Sequence, residues 1–133
     1  MSDWAQHGEF TLHWQGDVLM ANYSGTWNEE AARQLHKKAT LLWQMRDGRP
    51  WGLLSDGRQW EGGTPEALEL WWGFFEDGVR HGLRAATDIL PTSFHGLMVR
   101  ALKERAEQLA LYRRSDSIED GLRWLSAQGF NSD

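Results

Sequence analysis

The order of hydrophobic patterns along this chain limits its fold more than any single motif does. Phe10, Leu12 and Trp14 alternate with polar neighbours, as a half-buried strand does. Gly16-Asp17 then turns the chain into Val18 to Tyr23, which predicts a hairpin closed by Ser24-Gly25. From there helical and extended periods take turns. Thr26 and Glu29 form a capping-box signal for a first helix reaching about Arg46, and Asp47-Gly48-Arg49-Pro50 stops it. Its inward face is read as Trp27, Ala31, Leu35, Leu42 and Met45, with Ala39 and Leu41 beside them. Ala32, His36 and Trp43 fall on a second, narrow row that reads as a rim.

Trp51 to Leu54 is a short apolar strand, and Ser55 to Gly63 reads as a long loop. Thr64 followed by Pro65 starts a second helix, because a hydroxyl caps free N–H groups and proline needs none. That helix runs to about Gly78 or His81, with Gly82 as its cap, and Arg84 to Leu90 is the next strand. Pro91-Thr92-Ser93 opens a third helix with Phe94, Met98 and Leu102 inward. Leu109 to Tyr112 is a last strand, and Ser115-Asp116-Ser117 caps a final helix carrying Ile118, Leu122 and Leu125 on one face. Asn131-Ser132-Asp133 is expected to fray. Such alternation asks for one α/β domain over residues 1–133, with a mixed sheet of about five strands and four helices, since each helix needs a sheet face to bury its stripe.

Bulk properties narrow the function. A formal charge of −5, with Lys and Arg spread along the chain, argues against nucleic acid as a partner, which would want a basic face. The absence of cysteine excludes disulfides, thiolate chemistry and cysteine-based metal sites. The N-terminus has neither the basic start nor the apolar run of a signal peptide, and Leu68 to Phe75 is too short to span a bilayer, so a cytoplasmic protein with no membrane span is expected. Nine tryptophans recur near glycines, but at no fixed period, so no repeat architecture follows.

The layout resembles the STAS-like (SpoIIAA-like) family, the sulfate-transporter and anti-sigma-factor antagonist domains. The resemblance runs from about Phe10 to Leu125, on the opening hairpin, the βα alternation and the ending Tyr112-Arg113-Arg114-Ser115-Asp116-Ser117-Ile118-Glu119-Asp120-Gly121-Leu122-Arg123-Trp124-Leu125. A similar Trp-Leu finish is frequent in the lipid-binding-like branch. The resemblance implies a βα superhelix and a module that binds partners or ligands without catalysis. Antagonists of sigma-factor regulation carry a phosphorylatable serine in an Asp-Ser-Ser/Thr-Gly motif at the second helix. Here the region reads Ser55-Asp56-Gly57-Arg58-Gln59-Trp60-Glu61-Gly62-Gly63-Thr64, so that switch is not carried over.

Two surfaces are candidates. The apolar residues of the second helix sweep an arc of roughly 200°, about twice a normal buried stripe. Leu70, Trp72 and Phe74 are therefore candidates for a partner interface, a homodimer contact included, while a helix wedged wholly into the core remains the alternative. The second surface is the loop before that helix, where a strand's C-terminal end meets a helix N-terminus. Ser55, Arg58, Trp60 and Thr64, with Ser93 and His95 at the matching end of the next strand, are the candidate ligand contacts. Five histidines show no metal spacing, and no nucleophile, base and orienter assemble, so neither enzyme, metal nor cofactor is expected. The reading is a non-catalytic regulatory module acting by protein contact at the second helix and its preceding loop. The alternative is a carrier or sensor holding an apolar or anionic small molecule, a lipid included, in a tryptophan-lined crevice.

Overall fold

The computed structural model describes residues 5–133, apart from the side chains of Ser93 and Phe94. Strands β1 (Glu9–Gln15) and β2 (Val18–Trp27) form the expected antiparallel hairpin, with Gln15 opposite Val18 across a two-residue turn. Helix α1 (Glu29–Gln44) leads to β3 (Trp51–Gly63), α2 (Pro65–Arg80) and β4 (Leu83–Ile89). Two short helices, α3 (Ser93–Met98) and α4 (Arg100–Ala106), precede β5 (Leu111–Arg114) and α5 (Ile118–Ala127). The five strands lie in the order β1-β2-β3-β4-β5, and every pairing after the hairpin is parallel. The mixed α/β sheet therefore matches the expected architecture, with five helices rather than four among the described residues.

Alternation along the strands divides the core in two. Leu19, Ala21, Leu53 and Ala86 face the side covered by α1, α2 and α4. Val18, Met20, Leu54, Ala85 and Ile89 face Leu125, with Ile118 and Leu122 of α5 beside it. The C-terminus is tied down rather than frayed, because Asn131 O accepts the Asp17 N–H at 2.7 Å. Gly16 makes that approach possible: at φ +58°, a Cβ there would stand 2.3 Å from the same carbonyl oxygen.

Several local expectations are corrected. The cap of α1 is Asn28, whose side chain accepts from Ala31 N, while Thr26 belongs to β2. Of the rim row of α1, Ala32 and Trp43 are in fact core and His36 is half-buried: Trp43 is 1% exposed and stacks on Trp51 and Phe74, whereas Leu41 and Met45 are 62% and 69% exposed. Helix α2 starts as read, with Thr64 Oγ1 accepting from Ala67 N at 3.0 Å, but it ends on His81 as its cap. The last strand lies two residues later than read, which draws Arg113 and Arg114 into the sheet.

The largest correction concerns Ser55 to Gly63, which is strand and not loop. It pairs with β2 as far as Trp27 opposite Gly63, with register shifts between Asn22 and Ser24 and between Gly25 and Thr26. Those irregularities accommodate the glycines that made the segment look like a turn. Its buried carboxylate is held: Arg58 donates to Asp56 through Nε at 2.9 Å and Nη2 at 2.8 Å.

Candidate functional site

Where β4 and β5 end on the α2 side, while β2 and β3 run on beyond them, a row of inward residues is polar. Tyr23 comes from β2, Ser55 from β3, Asp88 from β4, and Tyr112 and Arg114 from β5. Ser55 lies opposite Asp88, and Asp88 opposite Arg114, so the pairing register sets these groups side by side. Helices α2 and α4 roof this row and leave a cavity of about 70 Å³ between roof and sheet. Its walls are mainly apolar and aromatic: Trp27, Trp60, Leu68, Trp71, Phe75, Leu90, Val99 and Leu102, with Lys103 the one cationic contributor among the described residues. Open α/β sheets place ligands at the carboxyl ends of their strands, where helices leave a crevice.

Two hydrogen-bonded sets floor the cavity. In one, the Trp71 indole N–H donates to Tyr23 Oη at 3.1 Å, and Tyr23 Oη lies 3.0 Å from Ser55 Oγ. Burial pushes the Tyr23 phenol up to about 12, against the opposing effect of its bonds to Ser55 and Trp71. In the other, Arg114 grips Asp88 through Nε at 2.9 Å and Nη2 at 3.2 Å, and the Tyr112 hydroxyl donates to the same carboxylate. Burial first, and then the Asp88 charge, raise the Tyr112 phenol well above its ordinary value. Both phenols are therefore protonated at neutral pH: Tyr112 donates to Asp88, and Tyr23 accepts from Trp71. Ser55 has a phenol beside it, and the Asp88 carboxylate already accepts from two side chains. Among the described residues, no group of three or more His, Cys, Asp or Glu side chains could hold a metal ion.

Of the residues singled out in the sequence, Ser55 and Trp60 line the cavity. Arg58 turns outward to Asp56, and Thr64 serves as the cap of α2. His95 packs against Trp60 at 5.8 Å between ring centroids, and its Nδ1 lies 2.8 Å from Thr92 Oγ1. The Ser93 side chain lies outside the described residues. Along α2, Phe74 is 0% and Trp72 7% exposed, while Leu70 is half-buried. The wide apolar arc is divided among neighbours: α1 meets Phe74 through Trp43, α4 meets Trp72 through Arg105 at 4.4 Å, and Trp71 turns to the sheet.

Sequence reasoning missed Tyr23, Asp88, Tyr112 and Arg114. Asp88 carried a usable signal, since a carboxylate inside the apolar run from Arg84 to Leu90 must find partners or stay out of the core. Tyr23 had none, because it reads equally well as the end of a hairpin strand.

No family model matches the chain, and no curated relative matches it closely. Among solved structures, an uncharacterised protein of the DUF3478 family with a SpoIIAA-like fold, from Shewanella loihica PV-4, is similar to it. The two share 18% identity over 91% of this chain and 95% of the other, with a TM-score of 0.61. The chain thus has a SpoIIAA-like fold. Among the described residues, no helix is long and apolar enough to cross a membrane.

Proposed function

We propose that residues 1–133 act as one STAS-like, non-catalytic binding unit in the cytoplasm, and that its ligand is a small, mainly apolar molecule held under α2 and α4. One observation carries this reading: the crevice at the strands' carboxyl ends is walled by tryptophan, leucine and phenylalanine, with its few polar groups gathered on the floor. Binding pockets for small molecules have this character, apolar walls giving affinity and a few placed polar groups giving orientation. The net charge of −5 supports a partner other than nucleic acid. Contact with a protein through the centre of α2 is the weaker reading, because Trp72 and Phe74 have little surface left to offer.

The test uses the full chain and the indole N–H resonances of its tryptophans. Titration with ethylbenzene should shift the signals of Trp60 and Trp71, assigned by Trp→Phe variants, and spare that of Trp124 on the opposite side of the sheet. Leu68→Trp, which enlarges a half-buried wall residue, should suppress the shift without unfolding the protein. Unchanged Trp60 and Trp71 signals up to the solubility limit of the probe would remove the reading.

A further inference from the structure

The floor of the cavity holds one more donor than the described residues use. An indole nitrogen only donates, so Tyr23 Oη is the acceptor of its bond with Trp71. Tyr23 and Ser55 bring one hydroxyl proton each, and the single contact between them consumes one of the two. Among the described residues, no acceptor takes the other. Each oxygen has a partner, but a hydroxyl proton left unused beside an apolar cavity forgoes a hydrogen bond, and a ligand that brings an acceptor gains it.

We propose that this surplus hydroxyl proton is the recognition element of the cavity, and that the ligand is an apolar molecule carrying a neutral carbonyl or ether oxygen at its inner end. The inference rests on the binding reading given above and adds the chemistry of the ligand. Neutrality follows from the neighbours. Asp88 lies opposite Ser55 in the register, its negative charge contributes to the raised pKa of Tyr23, and its oxygens are occupied by Tyr112 and Arg114. A carboxylate at the inner end would face a second carboxylate across the floor. The cation of the cavity, Lys103, has Glu107 at 3.5 Å, so part of its attraction for an anion is already spent.

Three probes that share one ring separate the possibilities: acetophenone, ethylbenzene and benzoate, each titrated into the full chain and followed at the Trp60 and Trp71 indole signals. One net hydrogen bond predicts that acetophenone binds about fivefold tighter than ethylbenzene. Benzoate should bind weakest, and the carbonyl stretch of bound acetophenone should move to lower wavenumber than in hexane. Leu68→Trp should weaken acetophenone binding, which places the probe in the cavity. Equal binding of acetophenone and ethylbenzene, with an unshifted carbonyl stretch, would overturn the inference while leaving the binding reading intact. Tightest binding by benzoate would also overturn it, in favour of an anionic ligand. If no probe moves either indole signal, both the inference and the reading beneath it fall.

Discussion

At the scale of single residues, the cavity floor shows how burial makes an ordinary side chain keep its proton. Tyr23 is packed under Trp71 and against Trp27, whose ring centroid lies 5.1 Å away, so its ionised form is poorly solvated. With its pKa raised from 10.0 to about 12, the folded state keeps a proton that the unfolded state has begun to lose. The sign follows from proton counting: below pH 10 both states are protonated and stability is unaffected, and between pH 10 and about 12 the folded state binds more protons, so stability falls as pH rises. Wild type should therefore lose stability more steeply than Tyr23→Phe across that interval, measured by urea unfolding at each pH. Parallel curves would show that the phenol ionises as freely in the folded protein as in the unfolded one. Trp43 carries a different lesson at this scale. Its indole nitrogen is buried with no partner among the described residues, so packing against Trp51, Phe74 and His81, not hydrogen bonding, holds it in place.

At the scale of elements, local chemistry was legible where it was self-contained. Thr64-Pro65 and Ser117 mark the starts of α2 and α5 because a cap acts within one turn of its own helix. The start of helix α1 departs from the Thr26 reading because Asn28 gains distant partners as well as its own helix. Asn28 Oδ1 accepts from Ala31 N at 3.2 Å and from His7 N at 3.1 Å, while its Nδ2 donates to Ala5 O at 2.8 Å. Asn28→Ala should thus cost about 1–2 kcal/mol, at the upper end for a cap, and the exposed Thr26→Ala only a few tenths. Equal losses in denaturant unfolding would return the cap to Thr26. Strand β3 was illegible beyond Leu54 for a related reason. Its polar, glycine-containing half is strand only because β2 runs alongside it, and because Tyr23 and Arg58 pair with Ser55 and Asp56. The residues that obscured the strand include those that make the site, since Ser55, Gly57 and Trp60 all line the cavity.

At the scale of the whole molecule, the breadth of the apolar arc on α2 is the feature with the most consequences. A helix lying on a sheet alone would bury one stripe, but α2 is enclosed by the sheet, α1 and α4. The clasp with α1 combines Phe74 stacked on Trp43, with ring centroids 6.1 Å apart, and His36 Nε2 at 2.8 Å from Asp77 Oδ2. On the other side, Arg105 lies over the Trp72 ring and reaches Glu69 at 2.8 Å. Geometry therefore assigns Phe74 to the interior of one protomer, where no second copy is needed to cover it. Removing that ring should cost about 3–5 kcal/mol in Phe74→Ala, a large share of the roughly 5–15 kcal/mol that stabilises a typical domain. Phe74→Glu would bury an unpaired carboxylate and should unfold the protein, whereas Leu70→Glu, at a half-buried position, should leave it folded. Circular dichroism and sedimentation read both variants. A folded Phe74→Glu protein that sediments more slowly than wild type would overturn the assignment, because only a residue whose burial depends on a second copy could accept the charge and lose the partner.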